Sequence, residues 1–180
     1  MTISANVINK YSKLANVFIE TGTHTGNTVE LARKAGFGKI YTIELSDKFY
    51  KAASARFSRH QNIVCIHGNS STKIQEILTK LNEPAVFWLD GHWSMGDTAK
   101  GDKDVPLYDE LLAIGEHHVK NHIILIDDIR LLGNKNELVT GWHNMSLDKI
   151  KELCSNINSN YTFSTEHGHV PNDILVARVR

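Results

Sequence analysis

Apolar runs and helical patterns alternate along almost the whole chain. Val17–Glu20 reads as a first strand, and Asn27–Ala35, closed by Gly36, reads as a helix. Lys39–Glu44 repeats the strand pattern, and Asp47–Phe57 the helical one, with Ser46 placed to cap it. Asn62–His67 predicts a third strand. The clearest helix is Thr72–Leu81, where Ile74, Ile77, Leu78 and Leu81 share a face and Thr72 with Gln75 matches a capping box. Ala85–Leu89 is a fully apolar fourth strand. Pro106 suits the first turn of a helix in which Leu107, Leu111 and Ile114 align. His122–Ile126, nearly continuous in Ile and Leu, reads as a fifth strand covered on both faces.

A polar segment, Arg130–Asn144, precedes a helix from Ser146 that carries Leu147, Ile150, Leu153 and Ile157. Tyr161–Thr165 and Ile174–Val179 read as two last strands, and the turn between them, with Gly168 and Pro171, predicts an antiparallel hairpin. The fold class that follows is α/β: a Rossmann-like, doubly wound sheet, mostly parallel with an antiparallel C-terminal strand and helices on both faces. Val7, Ile8, Tyr11 and Leu14 fall on one side of a short helix within residues 1–15, able to cover either the sheet or a pocket mouth. The sequence shows no repeat, low-complexity tract or linker, so residues 1–180 read as one domain.

Composition narrows the picture. A chain of 180 residues can bury a proper core. Lys+Arg and Asp+Glu both number 20, so no global field favours nucleic acid or an anionic membrane. No run reaches the roughly 18 apolar residues of a spanning helix, and the N-terminus lacks an apolar signal core. Cys65 and Cys154 form neither a disulfide framework nor a metal knuckle, which suits a reducing cytoplasm. The expected partner is a small-molecule acceptor, with no nucleic acid and no membrane; a homo-oligomer is compatible with everything above.

Ligands in such sheets bind beyond the carboxyl ends of the strands. The first strand ends Glu20-Thr21-Gly22 and runs through Thr23 and His24 to Gly26, where a helix opens. Glycine allows left-handed dihedrals and lets a ligand touch backbone. The pattern E-x-G-x-x-x-G is not the dinucleotide fingerprint, whose glycines stand closer together. The second strand ends on Glu44, close to the roughly 20-residue interval at which a βαβ unit places a ribose carboxylate. The third ends at Gly68, Asn69 and Ser70, where an amide and backbone could read an adenine edge. This layout resembles the first motif and strand ends of class I S-adenosylmethionine-dependent methyltransferases. The resemblance implies S-adenosylmethionine as cofactor, held by Glu20, Gly22, Thr23, His24, Gly26, Glu44, Asn69, Ser70 and Asp90.

The fourth strand ends in Asp90-Gly91-His92-Trp93 and the fifth in Asp127-Asp128-Ile129-Arg130. Strands lie about 4.8 Å apart, so these carboxylates can converge. Clustered carboxylates repel unless protonated or bridged by a cation, and all-oxygen ligation suits Mg²⁺. The chain is similar here, over about Val17–Arg130, to metal-dependent sugar O-methyltransferases of the macrocin type. That resemblance puts Asp90, Asp127 and Asp128 on the metal positions and His92 on or near the general base, with Asp90 also catalytic. The long extensions that enclose a large acceptor in that branch have no counterpart.

Two loops flank these residues. His92–Pro106 is polar and long enough to be functional, with Trp93, Lys100 and Lys103 as candidate contacts. Arg130–Asn144 offers Trp142 and His143 for an opposite wall. The reading is an S-adenosylmethionine-dependent O-methyltransferase acting on a hydroxyl of a sugar, glycoside or similar polyol, assisted by Mg²⁺ or a similar divalent ion. The alternatives are a non-catalytic binding module and a hydroxylase-like relative. Three carboxylates do not favour the second, because facial-triad iron sites use two histidines.

Overall fold

The computed structural model describes residues 3–93, 99, 101–136 and 140–180. Its strands are β1 (Val17–Thr21), β2 (Lys39–Glu44), β3 (Ile63–His67), β4 (Ala85–Leu89), β5 (Ile123–Ile126), β6 (Thr162–Glu166) and β7 (Ile174–Arg178). The helices are α1 (Ala5–Tyr11), α2 (Asn27–Lys34), α3 (Asp47–Phe57), α4 (Ser70–Leu78), α5 (Leu107–Glu116) and α6 (Leu147–Ile157). These strands form one sheet in the order β3-β2-β1-β4-β5-β7-β6. β1 to β5 pair in parallel, and β7 runs antiparallel between β5 and β6. The doubly wound α/β sheet with an antiparallel C-terminal strand is therefore what the chain forms.

Side chains alternate across each strand, so neighbours such as Phe18 and Ile19 feed different cores. On one face, Ile19, Phe87, Leu89, Ile124 and Ile126 pack with residues of α4, α5 and α6. On the other, Phe18, Ile40, Val86, Trp88 and Val176 pack with α1, α2 and α3. Each fully buried aliphatic side chain contributes about 1.5–3 kcal/mol, which is why the apolar runs decide the fold. The chain order reverses between β1 and β4, the place where open α/β sheets leave a crevice. There Thr21 pairs with Leu89, so the glycine turn and Asp90 emerge side by side.

Three local expectations are revised. α1 covers the sheet: Val7, Ile8 and Tyr11 are buried in the second core, and Tyr11 Oη donates to Glu166 at 2.8 Å. Leu14 lies beyond the helix and is 51% exposed. α4 starts at Ser70, because Asn69 takes the cap by accepting from Ser71 N at 3.1 Å. The Thr72–Gln75 box does not form; Thr72 Oγ1 donates to Asn69 O instead. Ser46 stands at the start of α3 but its side chain makes no cap hydrogen bond; its N–H donates to Glu44 Oε1 at 2.7 Å. The cap at Ser146 forms, with Lys149 N donating to Oγ at 3.2 Å.

At the amino end of the sheet two histidines tie helices to strands. Ala85 N donates to His122 Nδ1 at 3.1 Å. That leaves His122 Nε2–H to donate to His117 Nδ1 at 3.0 Å, and His117 Nε2–H to Leu81 O at 3.0 Å. Both rings are neutral in this chain of donors. Burial, then the His117 ring, pushes His122 down to about 3.

Candidate functional site

One cavity of about 530 Å³ opens at the carboxyl ends of β1 to β5. Its first half is the glycine turn. Gly22 has φ 84, and a Cβ there would lie 2.4 Å from the Asp90 carbonyl oxygen, so only glycine lets β1 and β4 approach so closely. Gly22 N donates to Ile43 O at 2.9 Å. His24 has φ 47, uncommon for a residue with a side chain. Its N–H donates to Glu44 Oε2 at 2.7 Å, which holds the turn in that shape. Glu44 thus clamps the turn with one oxygen and Ser46 N with the other. Each oxygen keeps a second lone pair for a ligand hydroxyl.

Of the residues expected at the cofactor, Gly22, Thr23, His24, Glu44, Asn69, Ser70 and Asp90 line this cavity. Glu20 and Gly26 do not. Glu20 sits behind the turn, 1% exposed, and Thr42 Oγ1 donates to it at 2.6 Å. Thr42 also shares a hydrogen bond with Thr23 Oγ1, so Glu20 supports the turn from beneath. Burial, against the Thr42 hydrogen bond, raises its carboxyl to about 8. Gly26 opens α2, with its α-carbon pressed against the Phe57 ring: a Cβ would come within 2.7 Å. Asn69 spends its carbonyl oxygen on Ser71, so its amide N–H groups are what it can offer a ligand.

The second half holds Asp90, Gly91, His92, Trp93, Pro106 and Asp128. His92 Nε2 lies 2.8 Å from Asp128 Oδ2 and 3.3 Å from Asp90 Oδ1. The ring meets the buried Trp142 edge-on at 5.3 Å between centroids. Burial pulls His92 down, but its hydrogen bonds to Asp128 and Asp90 prevail and lift it to about 10. Burial raises Asp90. It also pushes Asp128 up, yet His92 and Arg130 outweigh it and leave Asp128 lowered.

The ligand atoms of Asp90, His92 and Asp128 all lie within 4.8 Å of one another. Asp127 falls in a different group, with Asp128 and Asp173, and lines a minor recess beside Leu89 and Trp142. The expected trio of Asp90, Asp127 and Asp128 is therefore split, with Asp128 common to both groups. The two carboxylates fit a hard divalent ion such as Mg²⁺ or Mn²⁺, and His92 Nε2, beside both of them, is left as the group that can carry a proton. Repulsion alone does not call for the ion, because the Arg130 guanidinium already bridges Asp128 and Asp173.

Arg130, Asp173 and Glu110 were missed in the sequence. Glu110 lies on α5, 1% exposed, under Gly91, whose Cβ would come 3.0 Å from Glu110 Oε1. Burial, opposed by hydrogen bonds from Ser70 and Thr21, raises it to about 7. Leu45 and Phe49 also line the cavity. The only sequence signal for them is their position just after the second strand. Of the loop before Pro106, Trp93, Ala99, Gly101 and Lys103 line the cavity. A Cβ on Gly101 would lie 3.3 Å from Leu45 and 3.5 Å from Asn69, so the loop reaches the third-strand side and not only the acceptor side. Lys103 pairs with Asp109 at 2.7 Å, His143 is exposed, and Lys100 lies outside the described residues.

No family model and no curated protein matches the chain. Solved structures do. An O-methyltransferase from Bacillus cereus, in complex with SAH, is 16% identical with a TM-score of 0.66, covering 99% of this chain and 82% of that one. TomG, an O-methyltransferase of Streptomyces achromogenes involved in tomaymycin synthesis and in complex with SAM, is 17% identical with a TM-score of 0.61, over 98% and 81%. A Clostridium thermocellum chain provisionally named an rRNA methylase is 16% identical with a TM-score of 0.63, over 98% of both chains.

The chain has the fold of the S-adenosylmethionine-dependent methyltransferases. Those names differ in what is methylated, so the methyltransferase fold leaves the acceptor open. Among the described residues, no helix is long and apolar enough to cross a membrane.

Proposed function

We propose that this protein is an S-adenosylmethionine-dependent O-methyltransferase for a hydroxyl of a sugar, glycoside or similar small polyol. The observation that carries the reading is one cavity lined both by Gly22, Glu44 and Asn69 and by Asp90, His92 and Asp128. S-adenosylmethionine bound in the first half would supply a methyl group on a cationic sulfur, and a divalent ion, which Asp90 and Asp128 would hold, would supply the Lewis acidity that lowers a hydroxyl pKa.

The chain's own groups do the rest. Glu44 accepts from ribose hydroxyls through its remaining lone pairs. The Gly22 backbone closes the turn against Asp90, where a side chain would collide, and so shapes the wall the ligand meets. Asp90 and Asp128 orient vicinal hydroxyls of the acceptor, which matters because in-line displacement rewards alignment. As the structure stands, the two carboxylates keep a proton on His92. Were Asp90 and Asp128 to hold a divalent ion, their charge would be shared, His92 would release that proton to solvent, and its Nε2 would then be free to accept the proton of the acceptor hydroxyl. Asp127 is left out of this proposal because it groups with Asp173.

Calorimetry on the whole chain tests the reading, with S-adenosylhomocysteine as probe and Mn²⁺ present or absent. Binding at one site is expected, weakened about tenfold or more by Glu44→Gln, on the order of 1.4 kcal/mol. A Mn²⁺ heat lost in Asp128→Asn supports the ion. Adenosyl binding without any metal response would remove the ion and keep the methyltransferase. No adenosyl binding at all would overturn the reading.

A further inference from the structure

The hairpin between β6 and β7 sends one residue back to the site. Asp173 has a side chain with 0% exposure and stands just before β7. Its Oδ1 accepts from Arg130 N at 3.1 Å, and its backbone oxygen accepts from Ile129 N at 3.1 Å. Its Oδ2 takes the Arg130 guanidinium, whose same nitrogen also reaches Asp128 Oδ1. Asp128 Oδ2 is then turned to His92 Nε2. Asp128 itself has φ 59, a left-handed conformation that is uncommon for residues with a side chain and that aspartate is among the readiest to adopt.

We propose that Arg130 and Asp173 are positioning residues: together they pin one oxygen of Asp128 so that the other is presented to His92 and the acceptor. Arg130 suits the task because one guanidinium nitrogen carries two N–H groups in fixed, in-plane directions, one for each carboxylate, whereas a lysine ammonium is a rotating point charge. The guanidinium also makes the Asp127–Asp128–Asp173 group a place already supplied with a cation. A divalent ion would thereby be left the other oxygen of Asp128, beside Asp90. The proposal rests on reading Asp90, His92 and Asp128 as the acceptor side of the cavity.

The test reads His92 directly. The imidazole ¹⁵N signals of the whole chain are recorded, with the His92 pair assigned by its loss in His92→Gln. Asp173→Asn and Arg130→Gln are expected to move the His92 Nε2 signal, and Arg130→Lys to move it less. Glu166→Gln, on the same hairpin but bonded to Lys10 and Tyr11, should leave it in place. S-adenosylhomocysteine affinity should stay within a few-fold of the parent in every variant, which shows the fold and the cofactor half intact. A His92 signal unmoved by both Arg130 substitutions overturns the proposal, even if Asp173→Asn fails to fold. Loss of S-adenosylhomocysteine binding in the parent chain would instead overturn the functional reading and leave the clamp to stand or fall on the ¹⁵N signals.

Discussion

The two ends of the sheet treat buried polar groups in opposite ways. At the amino end, His117 and His122 are linked donor to acceptor between Ala85 N and Leu81 O, and both rings stay neutral. At the carboxyl end, Glu20 is buried behind the glycine turn, Glu110 is buried under Gly91 and the half-buried Asp90 lines the cavity, and burial raises the pKa of each. Charge-neutral, fully paired networks stabilise a fold without asking anything of solvent. Crowded carboxyls do the reverse, and strain of that kind gathers where a ligand is to be met. The backbone shows the same contrast, because among the described residues two of the three positive-φ residues with side chains, His24 and Asp128, stand at the carboxyl end and line the cavity.

The comparison breaks most sharply at Gly22. Gly22→Ala puts a Cβ 2.4 Å from the Asp90 carbonyl at φ 84, so β1 and β4 must part. Cofactor affinity is expected to fall by about 100-fold or more, on the order of 3 kcal/mol, measured by calorimetry with S-adenosylhomocysteine. Unchanged affinity would mean that the close approach does not shape the pocket.

Acidity sharpens it next. Glu20 is raised to about 8, so the folded chain keeps a proton that the unfolded chain releases near pH 4.5. Its contribution to stability is whole below about 4.5 and is lost as pH rises toward 8, at roughly 1.4 kcal/mol per pH unit. His122, lowered to about 3, acts the other way: its contribution is whole above 6.5 and is lost as pH falls from 6.5 toward 3. Denaturation midpoints followed across pH should therefore flatten between about pH 6.5 and 8 in Glu20→Gln and between about pH 3 and 4.5 in His122→Asn, where only one of the two groups contributes. His122→Asn should do so with cofactor affinity unchanged. If both substitutions altered the same limb, the division of labour between the two ends would be wrong.

Much of this was legible in the sequence because it lies in strand order. Apolar runs and helical periods marked the strands, and once β1 to β5 were set parallel, Gly22, Glu44, Asn69, Asp90, His92 and Asp128 had to gather at one edge. What escaped was whatever depends on approach between distant segments. Asp173 meets Arg130 only because β7 inserts between β5 and β6. Glu110 sits on an amphipathic helix with Asp109 and gives no sign that it, rather than its neighbour, turns inward. Glu20 looked like a strand-end carboxylate facing a ligand, but the turn folds over it, and Thr42, invisible as a site residue, takes its place beneath Thr23. The capping of α4 went to Asn69 because an asparagine there caps as well as a threonine does, and sequence spacing alone does not rank two such candidates.

The central claim is a donor half and an acceptor half facing each other across one cavity. A crystal structure of the chain with S-adenosylhomocysteine and Mn²⁺ tests it most directly. The expected result has ribose hydroxyls at Glu44, the homocysteine sulfur directed at His92, and the ion beside Asp90 and Asp128. An adenosyl ligand bound outside this cavity, or a sulfur turned away from His92 and Asp128, would contradict it.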